Sequence, residues 1–289
     1  MQGMAAALRR GGVEQPAPRR PQVVAHRGSS EAKAEHTLGA YVQALDEGAE
    51  GLECDVRLTA DGHLVCVHDR DLRRTAHNRG IVSTMRLAEL DDLDFAQWKS
   101  PWADLDDEAP DVEEGHNRVL TLRRLLEMVA DYDRRVELAI ETKHPTRYAG
   151  LVERRLVELL AEFGWTGADA PVRAMSFSWV AMSRVRRLAP SLPVVLLLDK
   201  AYSWRLTSAI REQDWIAGPG IDLLREQPRF ARRLTRDGLR MHVWTVNTAE
   251  DLDLCRRLGV EAIITDRPRA ALDHYGVRDD ERPAKGEVR

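Results

Sequence analysis

The sequence predicts a (β/α)8 TIM barrel with a small insertion after a hairpin on its second strand. Three observations carry that expectation. From Gln22 onward, eight short apolar runs alternate with amphipathic stretches, the pattern of parallel strands joined by crossover helices. No G-x-G-x-x-G follows the first run, which counts against an open doubly wound sheet, the competing architecture. Asp61-Gly62 breaks the alternation once, with a connection too short for a parallel crossover. A chain of 289 residues with 43% hydrophobic content can fill one such barrel, which typically uses about 250 residues.

In chain order, Val23-Val24-Ala25 reads as a buried strand. The stretch from Thr37 to Glu47 then puts Leu38, Tyr41, Val42 and Leu45 on one helical face, and Gly48 stops it. Gly51 to Leu58 is the second strand. Val136 to Thr142, Val172 to Phe177, Val194 to Leu198, Trp215 to Ala217, Met241 to Val246 and Ala262 to Thr265 complete the eight. Helical spacing marks Leu122/Leu125/Leu126/Val129, Leu151 to Leu160, Val180 to Leu188 and Asp251 to Leu258.

Asp-Gly is a favoured two-residue hairpin turn, so Asp55 to His68 is expected to rise from the barrel rim as a hairpin. With Asp61-Gly62 as the loop, the register sets His68 opposite Asp55. Glu53 and Asp55 share a face by alternation, so two carboxylates and an imidazole are expected to converge. The insertion, about 56–117, contains Trp98, Trp102 and the acidic run from Asp104 to Glu114. Insertions at a barrel rim commonly shape an active site, although an acidic run by itself is ordinarily a solvated surface.

Composition narrows the function classes. A formal charge of -4 argues against a nucleic-acid partner. Three cysteines, Cys54, Cys66 and Cys255, without paired spacing give neither a disulfide framework nor a zinc pattern, which suits a cytoplasmic setting. No run approaches the roughly 18 apolar residues of a membrane span. Residues 1–20, with four arginines, and the charged residues 276–289 are expected as disordered tails around one domain, 21–275.

Strand ends are where barrel enzymes place reactive groups. His26-Arg27-Gly28 closes the first strand, with a proton-exchanging ring, a phosphate-gripping fork and a glycine that permits close approach. An isolated H-R-G is weak, because a structural role is the default for each residue. The neighbouring strands shift the balance. Glu53-x-Asp55 ends the second and Glu141-x-Lys143 the third, and three adjacent carboxylates repel one another unless a cation neutralises them. An all-oxygen set favours a single hard divalent ion, Mg2+ or Ca2+.

Taken together these segments are recognisable. The chain resembles the glycerophosphodiester phosphodiesterase family from about Val23 to Pro268. The resemblance rests on V-V-A-H-R-G at Val23 to Gly28, A-E-H-T-L at Ala34 to Leu38 and G-L-E-C-D-V at Gly51 to Val56. It continues through D-G-H-L-V-C-V-H-D at Asp61 to Asp69, A-I-E-T-K at Ala139 to Lys143, H-V-W-T-V-N at His242 to Asn247 and I-I-T-D-R-P at Ile263 to Pro268. It implies His26 and His68 as general acid and base, and Glu53, Asp55 and Glu141 as metal ligands. It further implies Arg27 and Lys143 as phosphate contacts, with Trp244 as a wall for the alcohol moiety. Trp244 as barrel core is the competing reading.

The expected partner is a small glycerophosphodiester. The rival functions are a lysophospholipase D-type phosphodiesterase and a catalytically silent phosphodiester-binding barrel. One departure stands out: the family usually has E-N-T where this chain has Glu35-His36-Thr37, which puts a third histidine near the rim. Glu35 and Thr37 can still orient the arginine and start the helix.

Overall fold

Alternating inward and outward side chains on eight parallel strands build the molecule from the axis outward. The computed structural model describes residues 20–99, 117–144, 148–200 and 204–278. The strands are β1 Gln22–His26, β2 Gly51–Leu58, β3 Leu64–Cys66, β4 Glu137–Thr142, β5 Val172–Ser176, β6 Val194–Leu198, β7 Ile216–Pro219, β8 His242–Val243 and β9 Ala262–Thr265. Their order is β7-β6-β5-β4-β2-β1-β9-β8, with β3 paired to β2 off the path. Parallel bridges Ala217↔Met241 and Gly220↔Trp244 join the two ends, so the eight parallel strands close into the expected barrel. The expected tails, Trp102 and the acidic run from Asp104 to Glu114 fall mainly or wholly outside the described residues. Arg20, at the edge of the described chain, forks onto Glu50 at 2.7 and 3.0 Å.

Residues pointing to the axis form an inner apolar layer of Val24, Ala139, Met175, Val195, Leu197, Ile216, Ala262 and Ile264. The outward residues pack under the helices in a much larger core that includes Leu52, Cys54, Ile140, Val194 and Ile263. Capping sets several helix starts. Thr37, Thr121, Ser178 and Thr248 each accept a backbone N–H from three residues ahead, a contact worth about 1 kcal/mol apiece. Thr37 therefore does start the helix Leu38–Asp46. The helix expected from Asp251 begins at Ala249, because Thr248 supplies its cap.

The hairpin is present, but its register differs by one residue from expectation. Val56 pairs with Cys66 and Leu58 with Leu64, and Val67 N–H donates to the Asp55 carbonyl at 3.0 Å. Val67, rather than His68, therefore lies opposite Asp55. The turn uses three residues, Ala60-Asp61-Gly62, with Gly62 at φ +89° and Thr59 N–H donating to the His63 carbonyl at 2.9 Å. A left-handed glycine suits this longer turn as well as the two-residue one. Beyond the hairpin the chain packs back on it through a separate apolar cluster of Val65, Val67, Leu72, Val82, Leu90, Phe95 and Val119. It rejoins the barrel where Cys66 N–H donates to the Leu120 carbonyl at 2.8 Å.

Candidate active site

The C-terminal ends of β1, β2 and β4 sit side by side, with His26 in register with Glu53 and Asp55 with Glu141. Parallel pairing and the two-residue period bring these side chains to one mouth of the barrel. A cavity of about 130 Å³ lies there, lined by His26, Arg27, Glu53, His68, Glu141, Lys143 and Trp244 among others. Asp55 completes the group from beneath, fully buried and contacted by Arg27, His36 and Lys143. All eight residues singled out in the sequence thus meet in one place.

Two tight backbone features make the loop after β1. Arg27 and His36 both adopt left-handed conformations, at φ +58° and +60°, and His36 N–H donates to the Arg27 carbonyl at 3.1 Å. Gly28, at φ +86°, passes so close to the next helix that a Cβ would sit 2.6 Å from the Ala40 carbonyl carbon. The loop turns Arg27 inward. The Arg27 guanidinium reaches Glu35 at 3.0 Å and Asp55 at 3.0 Å, while the Arg27 backbone N–H donates to Glu53 Oε2 at 3.1 Å. Glu35 thus holds the arginine, as the E-x-T pattern implied.

The carboxylates are crowded. Glu53, Asp55 and Glu141 each place an oxygen within 4.8 Å of the others, and all three are buried. Burial first, and then the negative charge of Asp55, push Glu53 well above the usual carboxylate range and Glu141 up to about 8. Asp55 goes the other way: burial opposes its ionisation, but the His36 hydrogen bond and the Arg27 and Lys143 charges hold it well below that range. Lys143 Nζ lies 2.9 Å from both Asp55 Oδ1 and Glu141 Oε1. Two cations thus serve three buried carboxyl groups, too little positive charge to keep all three ionised. An oxygen donor set short of positive charge fits a divalent cation.

The histidines are held from outside the cavity. His26 Nδ1 is 2.6 Å from Asp266 Oδ1, and Asp266 also accepts from Ser30 Oγ at 2.8 Å and Asn247 Nδ2 at 2.6 Å. Burial works to raise the Asp266 pKa, but these three donors outweigh it and keep the group ionised well below its ordinary value. His68 Nδ1 is 2.8 Å from Asp69 Oδ1, and Arg57 fixes the His68 carbonyl with two donations, at 3.0 and 2.7 Å. Burial is the main influence on His68 and lowers its pKa. Arg74, from the inserted helix Arg73–Ala76, bridges Asp69 at 2.7 Å and Glu35 at 2.6 and 2.7 Å. The insertion thereby ties the support of His68 to that of Arg27.

Asp266, Asp69, Arg57 and Arg74 were not singled out in the sequence. Asp266 left a signal, since it stands one residue past β9 as His26 ends β1. His36 is buried between Tyr41 and Asp55, with Nδ1 2.8 Å from the phenol and Nε2 2.9 Å from Oδ2. Trp244 is packed against the barrel interior and open to the cavity at once. Its ring packs on the inner apolar layer and its Nε1 donates to the Gly218 carbonyl at 2.7 Å, yet it also lines the cavity. Phe177 meets it edge-on, with ring centroids 5.4 Å apart, and adds a half-exposed apolar wall.

A profile of the Glycerophosphoryl diester phosphodiesterase family matches residues 26–270. The chain belongs to that family. A Mycobacterium tuberculosis protein named "Probable glycerophosphodiester phosphodiesterase 1" is 45% identical over 252 residues, covering 86% of this chain and 90% of its own. A Bacillus subtilis protein named glycerophosphodiester phosphodiesterase is 30% identical, covering 87% and 85%. Among solved structures, an Oleispira antarctica phosphodiesterase in complex with the product sn-glycerol-3-phosphate superposes with a TM-score of 0.74 at 24% identity, covering 89% of this chain and 97% of that one. The resemblance carried by the strand-end motifs is borne out, the fold is the family's barrel, and the chain is a phosphodiesterase by family. Among the described residues no helix is long and apolar enough to cross a membrane.

Proposed function

We propose that the protein hydrolyses glycerophosphodiesters, such as glycerophosphocholine or glycerophosphoethanolamine, to glycerol 3-phosphate and a free alcohol. The observation that carries this reading is the pairing of two carboxylate-anchored histidines, His26 on Asp266 and His68 on Asp69, around a cavity lined by Glu53 and Glu141 with Asp55 clustered against them. Each anchor occupies Nδ1 and leaves Nε2 for proton exchange with a substrate.

In this reading one histidine takes the proton of the attacking oxygen and the other returns one to the departing alkoxide, each exchange contributing about 10²–10⁴-fold. Arg27 and Lys143 hold the phosphoryl oxygens. Their charges are already concentrated at the mouth by Asp55 and Glu35, so an arriving phosphate has preorganised donors to meet. Trp244 and Phe177 exclude water from one side and present an apolar wall to the glyceryl carbons. Glu53, Asp55 and Glu141 would hold Mg2+ or Ca2+, and such an ion supplies Lewis-acid neutralisation of the phosphoryl charge.

The test is release of glycerol 3-phosphate from glycerophosphocholine and glycerophosphoethanolamine by the purified protein, before and after chelation and with Mg2+ or Ca2+ restored. Hydrolysis lost on chelation and recovered with either ion is the expected result. Full activity after thorough chelation defeats the metal assignment. Binding without turnover defeats the catalytic one, and faster turnover of a long-chain lysophospholipid defeats the substrate assignment.

A further inference from the structure

The opposite mouth of the barrel buries charge as well, and nothing in the phosphodiesterase chemistry uses it. The inward positions at the N-terminal ends of the strands carry Gln22, Glu137, Arg173, His242 and Ile216, with Arg240 and Glu261 at the rim. Together they line a second cavity of about 310 Å³. Barrel interiors are ordinarily filled by apolar layers, so an arginine and a histidine at this depth call for a counterpart.

The counterpart is missing from the protein's own side chains. Arg135 takes Glu137 at 2.7 Å, and Arg240 forks onto Glu261 at 2.7 and 2.8 Å, so both carboxylates of the cavity are already ion-paired. Arg173 donates from Nη2 to the neutral amide oxygen of Gln22 at 3.2 Å, and its buried Nε has no hydrogen-bond partner. His242 is 1% exposed, and neither of its ring nitrogens is hydrogen-bonded, the nearer carboxylate oxygen, on Glu261, lying 3.7 Å from Nε2. Three arginines thus face two carboxylates around a water-accessible space, with three buried donor or acceptor atoms unspent.

We propose that this N-terminal cavity is a binding site for a small oxyanion, held by Arg173 and by His242. Arg173 Nε and a protonated His242 ring are the donors, and the paired rim arginines steer the ion in. Burial pulls Arg173 down to about 10. Burial and then the Arg173 charge pull His242 down to about 4. An anion seated between them reverses the second of these effects, so its binding carries a proton onto His242. A cation does not fit, because both carboxylates are taken and the remaining groups are positive or neutral.

Inorganic phosphate is the probe, with acetate run in parallel as a planar oxyanion. The readout is the His242 ring resonance at pH 6, assigned by its disappearance in His242→Gln. The expected result is a saturable movement of that resonance toward the protonated position with at least one of the two anions. The apparent affinity should fall about tenfold or more in Arg173→Gln, the usual loss with one charge-assisted hydrogen bond. Arg240→Gln is a second variant, placed at an exposed side chain. It frees Glu261 to turn toward His242 and Arg173, and should weaken the anion by competition, so it decides the matter even if Arg173→Gln fails to fold. A His242 resonance unmoved by both anions overturns the proposal. So does movement of equal affinity in the wild-type and Arg240→Gln proteins, since it would place the anion elsewhere, in the catalytic mouth above all.

Discussion

The two mouths of this barrel are built on the same strands, yet they leave buried polar groups unmatched in opposite senses. At the C-terminal mouth, Arg27 and Lys143 are drawn chiefly to Asp55, Glu53 and Glu141 are held back from ionising, and carboxylate oxygens are in surplus. At the N-terminal mouth the carboxylates are spent on rim arginines, and Arg173 and His242 are left over. The difference lies in what each mouth can attract. A surplus of buried oxygen donors is relieved by a cation, and a surplus of buried N–H groups by an anion. Burying the charge beneath an apolar layer keeps the two surpluses apart: Val24, Ala139, Met175, Ile216 and Ala262 separate them along the axis. The barrel wall is a rigid insulator on which two unrelated electrostatic sites can be set.

If the C-terminal mouth is the reactive one, its sharpest break comes from the His26 pair. His26→Ala should lower kcat on glycerophosphocholine by about 10²–10⁴-fold without moving the melting temperature much, since the ring sits at the rim. Asp266→Asn should lower kcat by a smaller factor, about 10- to 100-fold, and leave KM close to its starting value. An amide there can still touch the ring but no longer fixes which nitrogen carries the proton. Steady-state kinetics on the two variants checks the order. Equal kcat in Asp266→Asn and the wild type would show that Asp266 only packs against His26 and does not position it.

Much of this site was legible in the sequence because it follows from period alone. Glu53 and Asp55 are two apart on a strand, Glu141 and Lys143 likewise, and parallel pairing puts them at one end. What period could not reveal was any contact made by a long side chain from elsewhere. Asp-Gly announced the hairpin but not whether its loop had two residues or three. Gly62 serves either, and the register came out one residue away from expectation. His68 reaches the cavity for a different reason: Arg57 grips its carbonyl and Asp69 its ring. Asp266 stands 240 positions from His26, and only closure of the barrel joins them. The N-terminal site was invisible for a related cause. His242 sits inside a motif whose next inward residue, Trp244, reports on the other mouth, and nothing in the string says that Arg173 shares its depth.

The two mouths should also differ in how they answer acid. His242 has a folded pKa of about 4 against about 6.5 when unfolded, so the unfolded chain binds the extra proton first. Its contribution to stability is therefore present above about pH 6.5 and is lost as pH falls toward 4, on the order of 3 kcal/mol across that window for a fully buried ring. His242→Gln cannot titrate and should flatten the melting temperature between pH 6.5 and 4, relative to the wild type. The neighbours that face the ring are Arg173, Arg240 and Glu261. The carboxylate among them is held well below its ordinary range by Arg240 and does not change charge in this interval. Parallel melting curves for the two proteins through that window would refute the assignment.

The smallest effect is expected at His36, where the family resemblance implies an asparagine. The ring bridges Tyr41 and Asp55 with no exposure to the cavity, and its backbone is left-handed. His36→Asn installs a residue that accepts a left-handed φ more readily than most side chains and can still donate one N–H to Asp55. The shorter amide cannot also reach the Tyr41 hydroxyl. That hydroxyl keeps its donation to the Glu53 carbonyl at 3.1 Å, so no buried polar group is stranded. The lost volume and contact should cost about 1 kcal/mol of stability, partly offset by the easier backbone. The rate should change by less than about threefold, because Asp55 retains Arg27, Lys143 and an amide donor. A drop of about a hundredfold in kcat with an unchanged melting temperature would make His36 a positioning residue in its own right. The comparison between the mouths would then need a third histidine on the catalytic side.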